Sequence, residues 1–220
     1  MYYFLIILLL ALFVIIFRKK RELPTPKFDN NQKEEIKKFL EYKILFYKNL
    51  TTKDKVEFEK RIARFISSKK ITGVETDVND QLKILVACSA IIPTFQFPYF
   101  DYPNLKEILI YPSSFNENFQ FNKTHKNEGI IGMVGNRSMA STMILQKHAL
   151  VRAFNGKKQY ENVGIHEFSH LLDRFDGEID GTPERLINKE DLKKWLDIIN
   201  KEKEKILNND SDINTYALTN

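Results

Sequence analysis

Apolar residues recur along the chain in three ways, and each predicts a different element. Residues 1–17 (MYYFLIILLLALFVIIF) are an unbroken apolar run without a charged side chain. At ~1.5 Å rise per residue such a run reaches roughly 25 Å, the short end of what crosses a bilayer. Further on, apolar residues return every three or four positions, which lines one face of a helix. Residues from about 30 to 47 put Ile36, Phe39 and Leu40 on one side. A second helix over about 52–67 carries Phe58, Ile62, Phe65 and Ile66, with Thr51 or Thr52 as its cap. Gly73 reads as punctuation after it. A third helix, about 79–92, is apolar almost all round, from Leu82 through Ile84, Leu85, Val86, Ala87 and Cys88 to Ala90 and Ile91. Such a helix belongs at the centre of a domain, and Pro93 stops it.

Short apolar runs bounded by breakers predict strands. Glu107–Tyr111, ended by Pro112, is the clearest; Thr142–Gln146 is a second and Leu150–Phe154 a weaker third. The aromatic and proline-rich residues 94–103 predict an irregular packed loop. Asn188 is placed to cap a last helix whose Leu192, Trp195, Leu196, Ile199 and Ile206 share one face. Mostly helices with a small sheet predict an α+β domain.

Charge changes the picture at the amino end. Residues 18–22 hold four of the 34 basic and one of the 29 acidic side chains, so only +2 of the net +5 belongs to everything after them. That excess is too small for a basic nucleic-acid face, and no nucleic-acid partner is expected. The basic cluster Arg18-Lys19-Lys20-Arg21 instead flanks the apolar run. No basic residue precedes the run and no small-x-small cleavage site follows it, which argues against a cleaved signal peptide. The expectation is an uncleaved single-pass anchor over 1–17, with the amino end outside and the carboxyl-terminal domain cytoplasmic. Residues 18–29, with Leu23-Pro24-Thr25-Pro26, form a basic juxtamembrane segment and stiff linker, and residues 30–220 form the domain. The single cysteine, Cys88, excludes a disulfide framework or a cysteine-rich metal site, and its apolar setting makes it a core residue. No Gly-x-Ser-x-Gly or phosphate-cradling glycine loop is present.

The chemistry lies in His166-Glu167-Phe168-Ser169-His170, an H-E-x-x-H sequence. Histidines four apart on a helix lie about 40° apart around its axis and one turn along, so both imidazoles can reach one ion. Neutral imidazole is a good zinc ligand, and the intervening glutamate, on the neighbouring face, is placed to act as general base. Val163, Ile165, Phe168, Leu171 and Leu172 give the segment an apolar face, and Ser169 reads as a small residue allowing close packing. A catalytic zinc needs a third protein ligand. The metzincin continuation fails, because Asp173 stands at its glycine place and Asp176 at its final histidine place. The later glutamates, Glu178, Glu184, Glu190, Glu202 and Glu204, lie in no apolar helix stretch. Asp173 can receive a histidine ring N–H or hold the loop that follows, and the two roles stay open. An EF-hand beginning at Asp176 is excluded because its twelfth position is Ile187. His125 and His148 have no partner spacing and read as ordinary polar residues.

The stretch 162–183, NVGIHEFSHLLDRFDGEIDGTP, resembles the signature of the Mlc titration factor A family of zinc-dependent peptidases. Members of that family read N-V-x-x-H-E-F-A-H-x-L-D and then an acidic loop ending D-G-x-P. The likeness extends through Phe46-Tyr47-x-x-Leu50, Phe58, Arg61, Phe65, Lys70-Ile71-Thr72-Gly73, the 85–92 helix and Ile108–Pro112 in order. It implies a zincin-like fold of the gluzincin type, with His166 and His170 as Zn2+ ligands and Glu167 as catalytic base. It places the third ligand in a helix opening P-A-E shortly after Y-A-x-T-N. Here Tyr216-Ala217-Leu218-Thr219-Asn220 are the last residues, so a product lacking its closing helix and third ligand is expected. By the same resemblance Tyr216 lies near the metal and donates a hydrogen bond to the oxyanion.

Two functions follow as expectations. The first is a membrane-anchored zinc metallopeptidase that hydrolyses peptide or protein substrates. The alternative is a catalytically incomplete binding module that sequesters a regulatory partner, since the family is named for binding a transcriptional repressor.

Overall fold

The structure, a computed structural model, describes residues 29–97, 99–114, 132–134, 141–156, 162–177, 180–208 and 210. The expected anchor over 1–17 lies outside the described residues, among which no helix is long and apolar enough to cross a membrane.

Helix α1 (Asn30–Lys43) opens with a reciprocal cap. Gln32 N–H donates to Asp29 Oδ1 at 2.8 Å, and Asp29 N–H donates to Gln32 Oε1 at 3.0 Å. The helix expected to run on to about residue 47 breaks at Ile44, which is extended at φ −105°, ψ 104°. A short α2 (Leu45–Lys48) follows. The break lets Ile44 and Tyr47 both reach the core. Helix α3 (Thr52–Ser68) starts at Thr51, whose hydroxyl oxygen accepts from Asp54 N–H. It buries Phe58, Arg61, Ile62 and Phe65 at helical spacing. The buried Arg61 guanidinium donates to Phe95 O at 2.9 Å and Thr94 Oγ1 at 3.0 Å, and so pins the turn that follows the central helix.

Lys70–Gly73 is a strand, β1, where the sequence reading saw only a glycine stop. Four residues are too few for alternation to show. Helix α4 (Asp80–Ile91), capped by Asn79, is the apolar stretch, and every side chain from Ile84 to Ile91 is buried. It is the crossover that a parallel pair requires, because β1 pairs parallel with β2 (Glu107–Tyr111). The strand β3 (Gly132–Val134) went unread, being three residues long. Strand β4 (Thr142–Gln146) lies between β2, parallel, and β3, antiparallel, giving the order β1-β2-β4-β3.

Residues 150–154 are not a strand. They lie in helix α5 (Lys147–Ala153) and its cap, because the Gln146 side chain accepts from Ala149 N–H and turns the chain directly out of β4. Helix α6 (Val163–Asp173) carries the H-E-x-x-H sequence and continues into a tight turn, Arg174–Asp176. Helix α7 (Lys189–Leu207) closes the described chain. Asn188 stands at its cap position but makes no side-chain capping bond. Of the face expected to pack, Ile206 is buried while Leu196 and Ile199 remain 41% and 39% exposed. The fold is thus mixed α+β, with a four-stranded sheet and one main core built on α3, α4, β2, β4 and α6.

Helix α6 crosses α4 at backbone distance. A Cβ on Gly164 would stand 2.3 Å from Ser89 Oγ and 2.7 Å from Ser89 Cβ. Gly164→Ala is expected to lower stability by about 1–3 kcal/mol, as overpacking does. Urea unfolding should show this loss, and a recovery when Ser89→Gly is added; an unchanged midpoint for Gly164→Ala alone would contradict the crossing.

Candidate metal centre

Helix α6 begins at Asn162, whose side-chain oxygen accepts from Ile165 N–H at 3.1 Å. The cap fixes the first turn, and helical spacing then orders the rest. Val163, Glu167 and Phe168 turn inward, while His166 and His170 stay partly exposed on the adjoining face. Phe168 anchors the middle of the helix, its ring 5.0 Å from that of Tyr102 and 5.7 Å from that of Phe65. Tyr102 is itself held: its hydroxyl donates to Ala90 O at 2.8 Å, and Lys69 Nζ donates to its carbonyl oxygen at 2.7 Å. Its φ of 54° is strained for a residue with a side chain. Tyr102 therefore holds a costly backbone to support the helix that carries the histidines.

The two imidazoles converge. His166 Nε2 and His170 Nε2 lie 3.0 Å apart, with the ring planes at 84°. Burial lowers the pKa of both, with His166 brought to about 4 by burial and then by His170. Two cationic rings at that distance would repel; with both rings neutral, one Nε2 donates to the other, and a shift of that proton to the ring's Nδ1 leaves both Nε2 lone pairs free for a cation. Glu167 is 5% exposed, and burial raises its carboxyl to about 7. Ligands at ~2.0–2.1 Å on a tetrahedral centre stand about 3.3 Å apart, so the separation and chemistry of the histidine pair fit two donors to one divalent cation. Among the described residues no group of three histidine, cysteine or acidic side chains completes such a site.

The remaining candidates separate cleanly. Asp173 holds the loop: its Oδ1 accepts from Gly181 N–H at 2.9 Å, while its charge also favours the protonated form of His170. Asp176 and Asp180 do likewise, accepting from Glu184 N–H and Thr182 N–H. Ser169 does not serve close packing. It is exposed, and its hydroxyl donates back to Ile165 O at 2.8 Å. Cys88 is fully buried, with its thiol pKa pushed up by burial, as a core residue should be. His148 is exposed on α5. Tyr216 and His125 lie outside the described residues. Sequence reading missed Gly132, which brings β3 against Glu167. Its only signal was the short β-branched and glycine run around it.

A family model of glucose-regulated metallo-peptidases, M90, matches residues 16–220. The chain belongs to this metallopeptidase family. It is the family of the Mlc titration factor A, which the 162–183 stretch resembles. The chain is also 26% identical over 193 residues to the uncharacterized protein slr2042 of Synechocystis sp., covering 81% of this chain and 68% of that protein. Membership in the M90 family makes a metallopeptidase the coarse functional class.

The buried carboxyl predicts a pH signature in metal-free protein. A carboxyl raised from 4.5 to about 7 by folding stabilises fully below pH 4.5, and that contribution is lost as pH rises through 7. The lowered His166 works oppositely, with stability present above pH 6.5 and lost as pH falls toward 4. In the presence of chelator, Glu167→Gln should therefore gain on the wild type as pH rises from 4.5 to 8, by on the order of 2–3 kcal/mol. Urea midpoints across that range measure the gain, and a pH-independent difference would mean that Glu167 ionises freely.

Proposed function

We propose that this M90 protein is a zinc-dependent peptidase whose site is centred on His166, Glu167 and His170. The observation that carries the reading is the 3.0 Å convergence of two uncharged Nε2 atoms beside a buried glutamate on one capped helix. His166 and His170 would hold the ion. A zinc ion held there supplies Lewis acidity, polarising a peptide carbonyl and lowering the pKa of a nearby water toward ~7. Glu167 takes the proton from the attacking water and passes it to the leaving amine. A proton affinity near 7 suits a group that must both accept and return a proton at neutral pH. Its burial shields the exchange from bulk solvent.

A peptide substrate fits the surroundings of the site. Among the described residues strand β3 is an edge of the sheet, and it also packs on α6. Edge strands offer unpaired backbone groups that an extended peptide can join, which would lay a scissile bond near Glu167. In this reading Tyr216 donates to the developing oxyanion, and residues 1–17 anchor the domain to a membrane with residues 18–21 on the cytoplasmic side.

Two variants test the proposal in the full chain. His166→Ala with His170→Ala should abolish stoichiometric zinc retained after dialysis. Glu167→Gln should retain zinc yet cleave fluorescent casein at least about a hundredfold more slowly than the wild type. Cleavage by Glu167→Gln at the wild-type rate would reject the mechanism, and metal-free wild type after dialysis against micromolar zinc would reject the site.

A further inference from the structure

A residue without a side chain sets the place of Glu167. Gly132 opens β3, and a Cβ built on it would stand 2.7 Å from Glu167 Cγ, 2.8 Å from Glu167 Oε1 and 2.8 Å from Val163 Cγ2. Carbon atoms in favourable contact stand ~3.5–4.0 Å apart, so a methyl group there cannot coexist with the present side chains. The cause is purely steric, because Gly132 does not occupy the left-handed region that glycine favours.

Each backbone has a neighbour of its own on another side. Strand β3 is held laterally, with Gly132 opposite Leu145 in the antiparallel ladder. Helix α6 is held on its other side, where Gly164 meets Ser89 of α4. A side chain must therefore give way. Val163 is β-branched, and on a helix such a residue has one strongly preferred rotamer. Glu167 has three rotatable bonds, so it yields first. We propose that Gly132 is a positioning residue for Glu167, leaving the space that its carboxyl occupies against β3. The inference rests on the reading of Glu167 as the proton acceptor, and it makes no claim on the histidines.

The test is a set of paired variants in the full chain, read without activity. Gly132→Ala, Glu167→Ala, Val163→Ala and the two double variants containing Gly132→Ala are melted with chelator present, and zinc affinity is measured by competition with a chromogenic chelator. Gly132→Ala should lower the melting temperature by several degrees. More than half of that loss should disappear in the Glu167→Ala background, and zinc affinity should stay within about threefold of the wild type. If Gly132→Ala folds only alongside Glu167→Ala, the proposal is supported; if it folds in neither background, the proposal is overturned. An equal loss with and without Glu167, or relief confined to the Val163→Ala background, also overturns it. Wild type that binds no zinc would sink the functional reading separately, because the melting comparison needs no metal.

Discussion

Helix α6 is gripped from two sides at distances that only bare backbone permits, and the site depends on that grip. On one side Gly164 lets α4 approach; on the other Gly132 lets β3 approach. Between them Glu167 is sealed from solvent and its proton affinity rises. A carboxylate in water is a poor proton carrier at neutral pH, and desolvation is what changes it. The packing that stabilises the fold and the tuning that would make the site chemically useful are thus the same contacts.

The support extends well beyond the helix. Phe168 locks α6 into a box with Phe65 and Tyr102, and Tyr102 is tied to Ala90 and Lys69. The buried Arg61 fastens the neighbouring turn from α3. Polar groups inside this core are therefore spent largely on main-chain oxygens in the last turn of α4 and in the loops after it, which the regular ladders leave open. Membership in the M90 family covers nearly all of this scaffold, not just the motif.

Much of this was legible in the residues. The cap at Thr51, the all-apolar α4 and the strands at 107–111 and 142–146 follow from local chemistry. The histidine pair follows from helical spacing alone. What was not legible depends on distant partners. Strands β1 and β3 are too short to show a period and are strands because β2 and β4 complete them. Residues 150–154 are a short apolar run like a strand, yet the Gln146 cap commits them to a helix. The burial of Glu167 comes from a strand some thirty residues earlier. Periodicity likewise marked an apolar face on α7 without saying what covers it, and among the described residues Leu196 and Ile199 stay largely open.

Helix α7 is joined to the rest through one residue in particular. The Gly181 N–H donates to Asp173 at the end of α6, and the Gly181 carbonyl oxygen accepts from the Trp195 indole at 3.0 Å. Trp195 is the sole tryptophan of the chain. The fluorescence of that single ring therefore carries a built-in optical record of whether α7 stays fastened to the Gly181 loop that Asp173 holds, with no label added.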